Sequence, residues 1–302
     1  MRILVGASLF AAVIVATVRE WHDVSDTVAE IGPAATLTSF ALALAGLAAS
    51  AMTWKHSLRE LGASGTVPSA LKIYLVGQLG KYVPGSVWAF VVQMELARAA
   101  SVQRVQSLAA GVLSVGINIL VGGALGLAIQ PFVGESSPYR FLAGAIGIAC
   151  CALALAPPVL SRLANLAFRV ARRPQVTCSP SWSGILRATS FSASCWLLYG
   201  LALCILVIGA GGDPSIAVLV ALPAVALAMT VGALVVVSPS GVGVREAVLV
   251  ATLAPVLEPS NALAVALVLR VVFTLADLLA AAVTVPIRIT AVPQPEPAGA
   301  RA

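Results

Sequence analysis

Apolar residues in this chain come in long blocks, not in the alternation expected of half-buried strands. The blocks fall at about 3–18, 33–54, 107–130, 140–160, 185–208, 215–237, 247–257 and 261–286. A helix crosses a hydrocarbon core of about 30 Å with roughly 20 apolar residues, and most of these blocks approach that length. The pattern predicts an all-α, polytopic integral membrane helical bundle with about eight transmembrane helices. The block at 247–257 is too short to cross as a plain helix. A further apolar stretch, about 70–97, is interrupted by Lys72, Lys81, Pro84, Gly85 and Glu95.

Composition narrows the class. Of 302 residues, 60% are hydrophobic and 10% charged, whereas a soluble domain carries about 25% charged residues. That excludes a water-soluble enzyme, a nucleic-acid-binding module and a disordered chain. The scarcity of aromatics and the wealth of Ala, Val and Leu suit closely packed helices better than an outer-membrane barrel. Residues 1–290 are expected to form a single transmembrane domain, and the Pro-rich 291–302 a disordered cytoplasmic tail. Met1-Arg2 and the block after it resemble the start of a signal peptide. Thr17-Val18-Arg19-Glu20 is a poor cleavage site, so a retained first helix is expected.

The net charge of +6 arises largely from Arg between the apolar blocks. Lys55 and Arg59, Arg98 and Arg104, and the run Arg162, Arg169, Arg172, Arg173 and Arg187 are basic flanks. The loop after the first block is net acidic, and the loops at 131–139 and 209–214 carry no Lys or Arg. The positive-inside rule then places both termini in the cytoplasm of a multi-pass cell-membrane protein. Lys55/Arg59 and Arg98/Arg104 bracket the 70–97 stretch, so an even number of passes keeps both flanks inside. The economical solution is a re-entrant hairpin that enters over Lys72–Lys81, breaks at Pro84-Gly85 and returns over Ser86–Ala97. Irregular backbone at membrane depth is tolerated only where protein or a water-filled cavity surrounds it.

A second break follows the sixth block, where Ser238-Pro239-Ser240-Gly241-Val242-Gly243 leads directly into Arg245-Glu246. Paired interrupted segments in two halves of a chain point to a site near the membrane midplane. The two breaks are therefore expected to face a common interior cavity.

The residues at these breaks carry a resemblance. Gly80-Lys81-Tyr82-Val83-Pro84-Gly85-Ser86-Val87-Trp88 resembles the GKYxPGSxW element of the lysylphosphatidylglycerol synthase transmembrane region, a family of flippase-like membrane proteins. Pro239-Ser240-Gly241-Val242-Gly243-Val244-Arg245-Glu246-Ala247 resembles its second element, PGGxGxREA, with Ser240 in place of a glycine. The elements lie about 150 residues apart, in order, and the resemblance covers nearly the whole chain. It implies a domain that moves an anionic lipid, either an aminoacyl-phospholipid or a polyprenyl-phosphate-linked sugar, between leaflets. It also implies a glycosyltransferase as a partner of stand-alone relatives. The loop at about 161–184 is too short to fold as an acyltransferase, so the synthase activity is not carried over and no enzyme is expected.

Three groups of residues are candidates for binding a lipid phosphate. Lys81 either faces an anionic headgroup in the hairpin or snorkels to the interface as an anchor. Gly241, Gly243 and Arg245 either present backbone N–H groups and a guanidinium fork to a phosphate or form a plain turn. In the second case Arg245 is an anchor and Glu246 a first-turn acid. Arg270 and Asp277 lie seven residues apart within one apolar block and so share a helix face. Charges there are expensive and should find partners, Glu246 among them for Arg270; a purely structural ion pair is the alternative. Pro84, Gly85, Pro239, Gly241 and Gly243 are the expected cavity-lining breaks.

Other residues invite plainer readings. Glu95 and Arg98 should pair, Asn118 and Gln130 should hydrogen-bond between helices, and Trp21, Trp54, Trp88, Trp182 and Trp196 should sit mostly at membrane interfaces. Cys150, Cys151, Cys178, Cys195 and Cys204 show no CxxC spacing, and His22 and His56 are far apart, so no metal is expected. No cofactor is expected, and no nucleotide-binding motif is present. The leading reading is a flippase-like lipid transporter. The alternative is a non-catalytic membrane partner subunit of a glycosyltransferase or lipid-modifying enzyme.

Overall fold

Gly32-Pro33 sets the geometry of the first helix. Gly32 has φ 69 and ψ 167, so α1 (Trp21–Glu60) is two helices joined at a kink. Pro33, whose missing N–H is harmless at a helix start, opens the second, and the Thr36 hydroxyl donates to the Gly32 carbonyl at 2.9 Å. The acidic segment expected as a loop is thus helical from Trp21. The Thr27 hydroxyl ties it down by donating to Asn261 Oδ1 at 2.9 Å.

The computed structural model describes residues 21–82, 87–127, 138–162, 180–234 and 243–290. After α1 come α2 (Val67–Gln78), a 3-10 turn (Leu79–Tyr82), α3 (Trp88–Arg98), α4 (Arg104–Leu127) and α5 (Pro138–Ala154). Then follow α6 (Trp182–Gly209), α7 (Pro214–Leu234), α8 (Val244–Leu253) and α9 (Pro259–Thr284). No strand occurs among the described residues. Five helices are long and apolar enough to cross a membrane: Asp26–Glu60 within α1, and α4, α6, α7 and α9. At 1.5 Å per residue, even the 21-residue α7 reaches the thickness of a hydrocarbon core. Large apolar side chains such as Leu37, Phe141, Leu186, Val218 and Val283 are exposed, as lipid-facing residues are. The chain is a polytopic helical membrane protein. The first expected helix, at 3–18, and the tail at 291–302 lie outside the described residues.

The chain divides into two compact units, interleaved in sequence. The first comprises 1–47, 119–152 and 193–278; the second comprises 48–118, 153–192 and 279–302. The first unit is centred on Leu203, Leu206, Val207, Val220, Val225, Leu253 and Leu269, all nearly or fully buried. Its helices approach closely where small residues allow it, as where Gly126 meets the backbone of Leu227. The second unit is built around Trp54, Leu58, Ile73 and Ala97. Within it the Ser192 hydroxyl donates to Asn118 Oδ1 at 2.9 Å, tying α6 to α4 as an interhelical polar contact.

The tryptophans divide. Trp88 and Trp182 are exposed, as an interfacial belt requires, but Trp54 and Trp196 are buried. Both buried rings fill helix-packing space, and Trp196 sits against Tyr199 edge to face at 6.2 Å. Composition alone does not separate a belt tryptophan from a core one.

Candidate functional site

The interrupted 70–97 stretch folds as a helical hairpin in the second unit. Thr66 begins α2 by accepting from the Ser69 N–H at 3.4 Å, with Pro68 in the first turn. Lys72, which interrupts the apolar pattern, donates to the backbone carbonyls of Val285 and Ile287, the latter at 2.8 Å. It thereby satisfies carbonyls just beyond the end of α9. The Tyr74 hydroxyl lies 2.6 Å from Ser50 Oγ, holding α2 against α1. The 3-10 turn then carries Lys81, whose Nζ lies 5.4 Å from the centroid of the Tyr82 ring, within cation–π range.

The returning arm runs antiparallel to the entering one. Gly80 lies against the backbone of Trp88 and Ala89, and Gly77 against the Gln93 side chain. Pro84 and Gly85 lie outside the described residues. Gln93 is 3% exposed and its Oε1 is buried with no hydrogen-bond partner among the described residues. At the end of α3, Glu95 pairs with Arg98 at 3.3 Å, as its spacing predicts, and also with Arg104 at 2.7 Å. All three side chains are more than half exposed, so these pairs contribute little to stability.

The second break belongs to the first unit. Residues 235–242, including Pro239 and Gly241, lie outside the described residues. The described chain resumes at Gly243, whose φ of 83 is the left-handed conformation that favours glycine. Gly243 is the N-cap of α8, and Glu246 at the third helical position reaches back to it. Glu246 Oε2 accepts from the Gly243 N–H at 2.7 Å. Glycine has no side chain to return the bond, so this is one half of a capping box. The other oxygen, Oε1, accepts from Arg270 Nη1 on α9. Glu246 is 3% exposed, and the Arg270 side chain is 32% exposed. One carboxylate therefore fixes both the tip of α8 and the guanidinium of the last span. The predicted partner of Arg270 is the one it has.

Arg245 precedes that carboxylate and lies over Gly232 of α7. A Cβ at position 232 would come within 2.6 Å of Arg245 Cγ and 2.8 Å of Nε. Arg245 Nε is itself buried. Sequence pattern does not single out Gly232, because a glycine inside a long apolar block looks like any small packing residue. Asp277, two turns beyond Arg270 on α9, is 3% exposed. The first unit thus gathers Arg245, Glu246, Arg270 and Asp277 on α8 and α9, while Lys81 belongs to the second unit. The expected convergence of the two breaks involves 83–86 and 235–242, which fall outside the described residues.

Two broken elements, in this order and with these charges, are features a family comparison can weigh. The family described as Lysylphosphatidylglycerol synthase TM region matches residues 3–281. The chain belongs to this family. No curated protein matches it. The span matched by the lysylphosphatidylglycerol synthase TM family contains both the Gly80–Trp88 and the Pro239–Ala247 elements, and Arg270 and Asp277 as well.

Proposed function

We propose that the chain is a flippase-like transporter, not an enzyme, and that it passes the headgroup of an anionic lipid between leaflets while the hydrocarbon tails stay in the bilayer. The observation that carries this reading is the charge arrangement at the start of α8. There Arg270 holds a buried carboxylate at the positive end of a helix, and Arg245, the residue before that carboxylate, lies over Gly232 of α7. A guanidinium fork matches two phosphate oxygens, and the N-terminus of a helix favours the same charge. In the resting state Glu246 occupies Arg270. A lipid phosphate competes for that guanidinium, while Glu246 keeps its bond to the Gly243 N–H. In the second unit Lys81 is, separately, a cation that can meet a lipid phosphate. Membership of a lysylphosphatidylglycerol synthase TM family supports an aminoacyl-phospholipid as cargo. A polyprenyl-phosphate-linked sugar presents the same phosphate chemistry.

The test is translocation in vesicles containing the purified protein alone. Headgroup-labelled phosphatidylglycerol, lysylphosphatidylglycerol and a polyprenyl-phosphate sugar are compared with labelled phosphatidylcholine. Faster movement of at least one anionic lipid is expected. No acceleration of any of them would leave the chain as a partner subunit of a glycosyltransferase or lipid-modifying enzyme.

A further inference from the structure

A separate basic cluster lies where α1 and α6 meet within the second unit. The helices run antiparallel there. The Thr53 hydroxyl donates to the Ala188 carbonyl at 3.4 Å. Seven residues later, Glu60 Oε2 accepts from the Ser181 N–H at 2.6 Å and from its hydroxyl at 3.0 Å. Between these ties the His56 ring stacks on Phe191, with centroids 5.2 Å apart and planes 15° from parallel. Lys55 and Arg59, one turn apart on α1, are thus brought to Arg187, one turn before Phe191 on α6. All three positive charges, and the opposing charge of Glu60, act on the His56 imidazole. Arg59 and Arg187 are exposed, and Lys55 is half-buried.

Three like charges gathered by two helices repel one another unless an anion joins them. The nearby carboxylate, Glu60, is held by the first turn of α6 and offsets one of the three charges, which leaves a surplus of positive charge. Lys55, Arg59 and Arg187 make no ion pair among the described residues. Arg98 and Arg104 differ, since they share Glu95. Two further residues indicate what the anion is attached to. Trp182, at the start of α6, is 69% exposed, and Leu186, next to Arg187, is 67% exposed. A tryptophan at a helix end marks headgroup level, and the leucine offers an acyl chain an apolar surface.

We propose that Lys55, Arg59 and Arg187 form an interfacial binding site for the phosphate of an anionic phospholipid, with the His56–Phe191 stack beside it. The site uses none of the residues assigned to translocation. A basic residue near the surface contributes about 1 kcal/mol to anionic-lipid binding, roughly fivefold in affinity.

The experiment measures thermal stability and retained lipid for the full chain in phosphatidylcholine vesicles, titrated with phosphatidylglycerol. Wild type should be stabilised by phosphatidylglycerol. Lys55→Gln/Arg59→Gln/Arg187→Gln should lose most of that stabilisation while still moving anionic lipid between leaflets, and Arg187→Gln alone should weaken apparent affinity about fivefold. Arg98→Gln/Arg104→Gln, which also removes two cations, should titrate like wild type. Equal weakening in the two multiple variants would overturn the proposal in favour of a diffuse surface field. So would wild-type stability that ignores phosphatidylglycerol. Inorganic phosphate in phosphatidylcholine vesicles separates the sources: a full shift with phosphate alone would overturn a lipid ligand. If the triple variant does not fold, the single Arg187→Gln titration decides, and unchanged affinity there would sink the site.

Discussion

Glu246 has both oxygens engaged, one by the Gly243 N–H and one by Arg270. Replacing it with Ala strands a helix-capping donor and a partly buried guanidinium together. Removing one partner of a buried pair costs about 3–5 kcal/mol. Since Arg270 is about a third exposed, roughly 3 kcal/mol is expected, seen as a lowered thermal midpoint in detergent. Glu246→Gln keeps an acceptor for Gly243 and should fall between. Gly232 makes the complementary prediction. A Cβ there meets the stem of the Arg245 side chain, 2.6 Å from Cγ, and Nε beyond it is buried, so the arginine must be displaced as a whole. Gly232→Ala should therefore cost about 1–3 kcal/mol and slow lipid translocation. Loss of stability without any transport defect would place Arg245 outside the site.

The hairpin responds to substitution according to what each glycine faces. Gly80 lies against backbone: an added methyl would sit 2.6 Å from the Trp88 carbonyl carbon, and neither arm can yield cheaply. Gly80→Ala should destabilise by about 1–3 kcal/mol. Gly116, in the middle of α4, has nothing within 4 Å of its Cβ position, so Gly116→Ala should be neutral or stabilising by up to about 1 kcal/mol. Thermal melts of the two variants check both signs. At the start of α7, Asp213 accepts from the Ser215 hydroxyl, from the Ser215 N–H at 2.8 Å and from the Ile216 N–H at 3.4 Å. The Ser215 hydroxyl first, and then the two backbone donors, hold its carboxyl below the usual carboxylate range. A pKa lower in the folded state stabilises above the unfolded pKa, and the effect fades as pH falls through the folded one. The cap should hold at neutral pH and weaken in acid below about pH 4. Asp213→Asn should flatten that acid limb of the melting curve.

These elements were legible to different degrees. Long apolar blocks announced the spans, while the Pro-Gly breaks themselves fall outside the described residues. The Glu246–Arg270 pair could be named because two charges in apolar sequence must find each other. The helix over 21–31 was hidden because its acidic residues read as a loop until Gly32-Pro33 is seen to divide it from the span that follows. The use of Lys72 against the carbonyls of Val285 and Ile287 spans more than 200 residues of sequence, and no local pattern encodes it. Gly232 was equally silent, since its role depends on which side chain lies above it.

For the molecule as a whole, basic flanks on both sides of the hairpin predict that it enters and leaves on one face. With the native cysteines replaced by serine, Gly65→Cys and Gln103→Cys should label from the same side of sealed vesicles, and labelling from opposite sides would end the re-entrant reading. The central claim is that the cations at each broken element, taken within its own unit, meet a lipid phosphate as the headgroup passes. Its most direct test pairs detergent-extracted thermal stability with anionic-lipid translocation for Lys81→Ala, Arg245→Ala, Arg270→Ala and Arg270→Lys. A hydrogen bond to a charged group is worth about 1.5–3 kcal/mol, so each alanine variant should translocate at least about tenfold more slowly. Lys81→Ala and Arg245→Ala should remain as stable as wild type, whereas Arg270→Ala strands the buried Glu246 carboxylate and should also lose about 3 kcal/mol. Arg270→Lys should rescue poorly, because an ammonium lacks the planar fork. Wild-type translocation in all three alanine variants would contradict the account, and slowed translocation confined to the destabilised Arg270→Ala would reduce the Glu246–Arg270 pair to a structural tie.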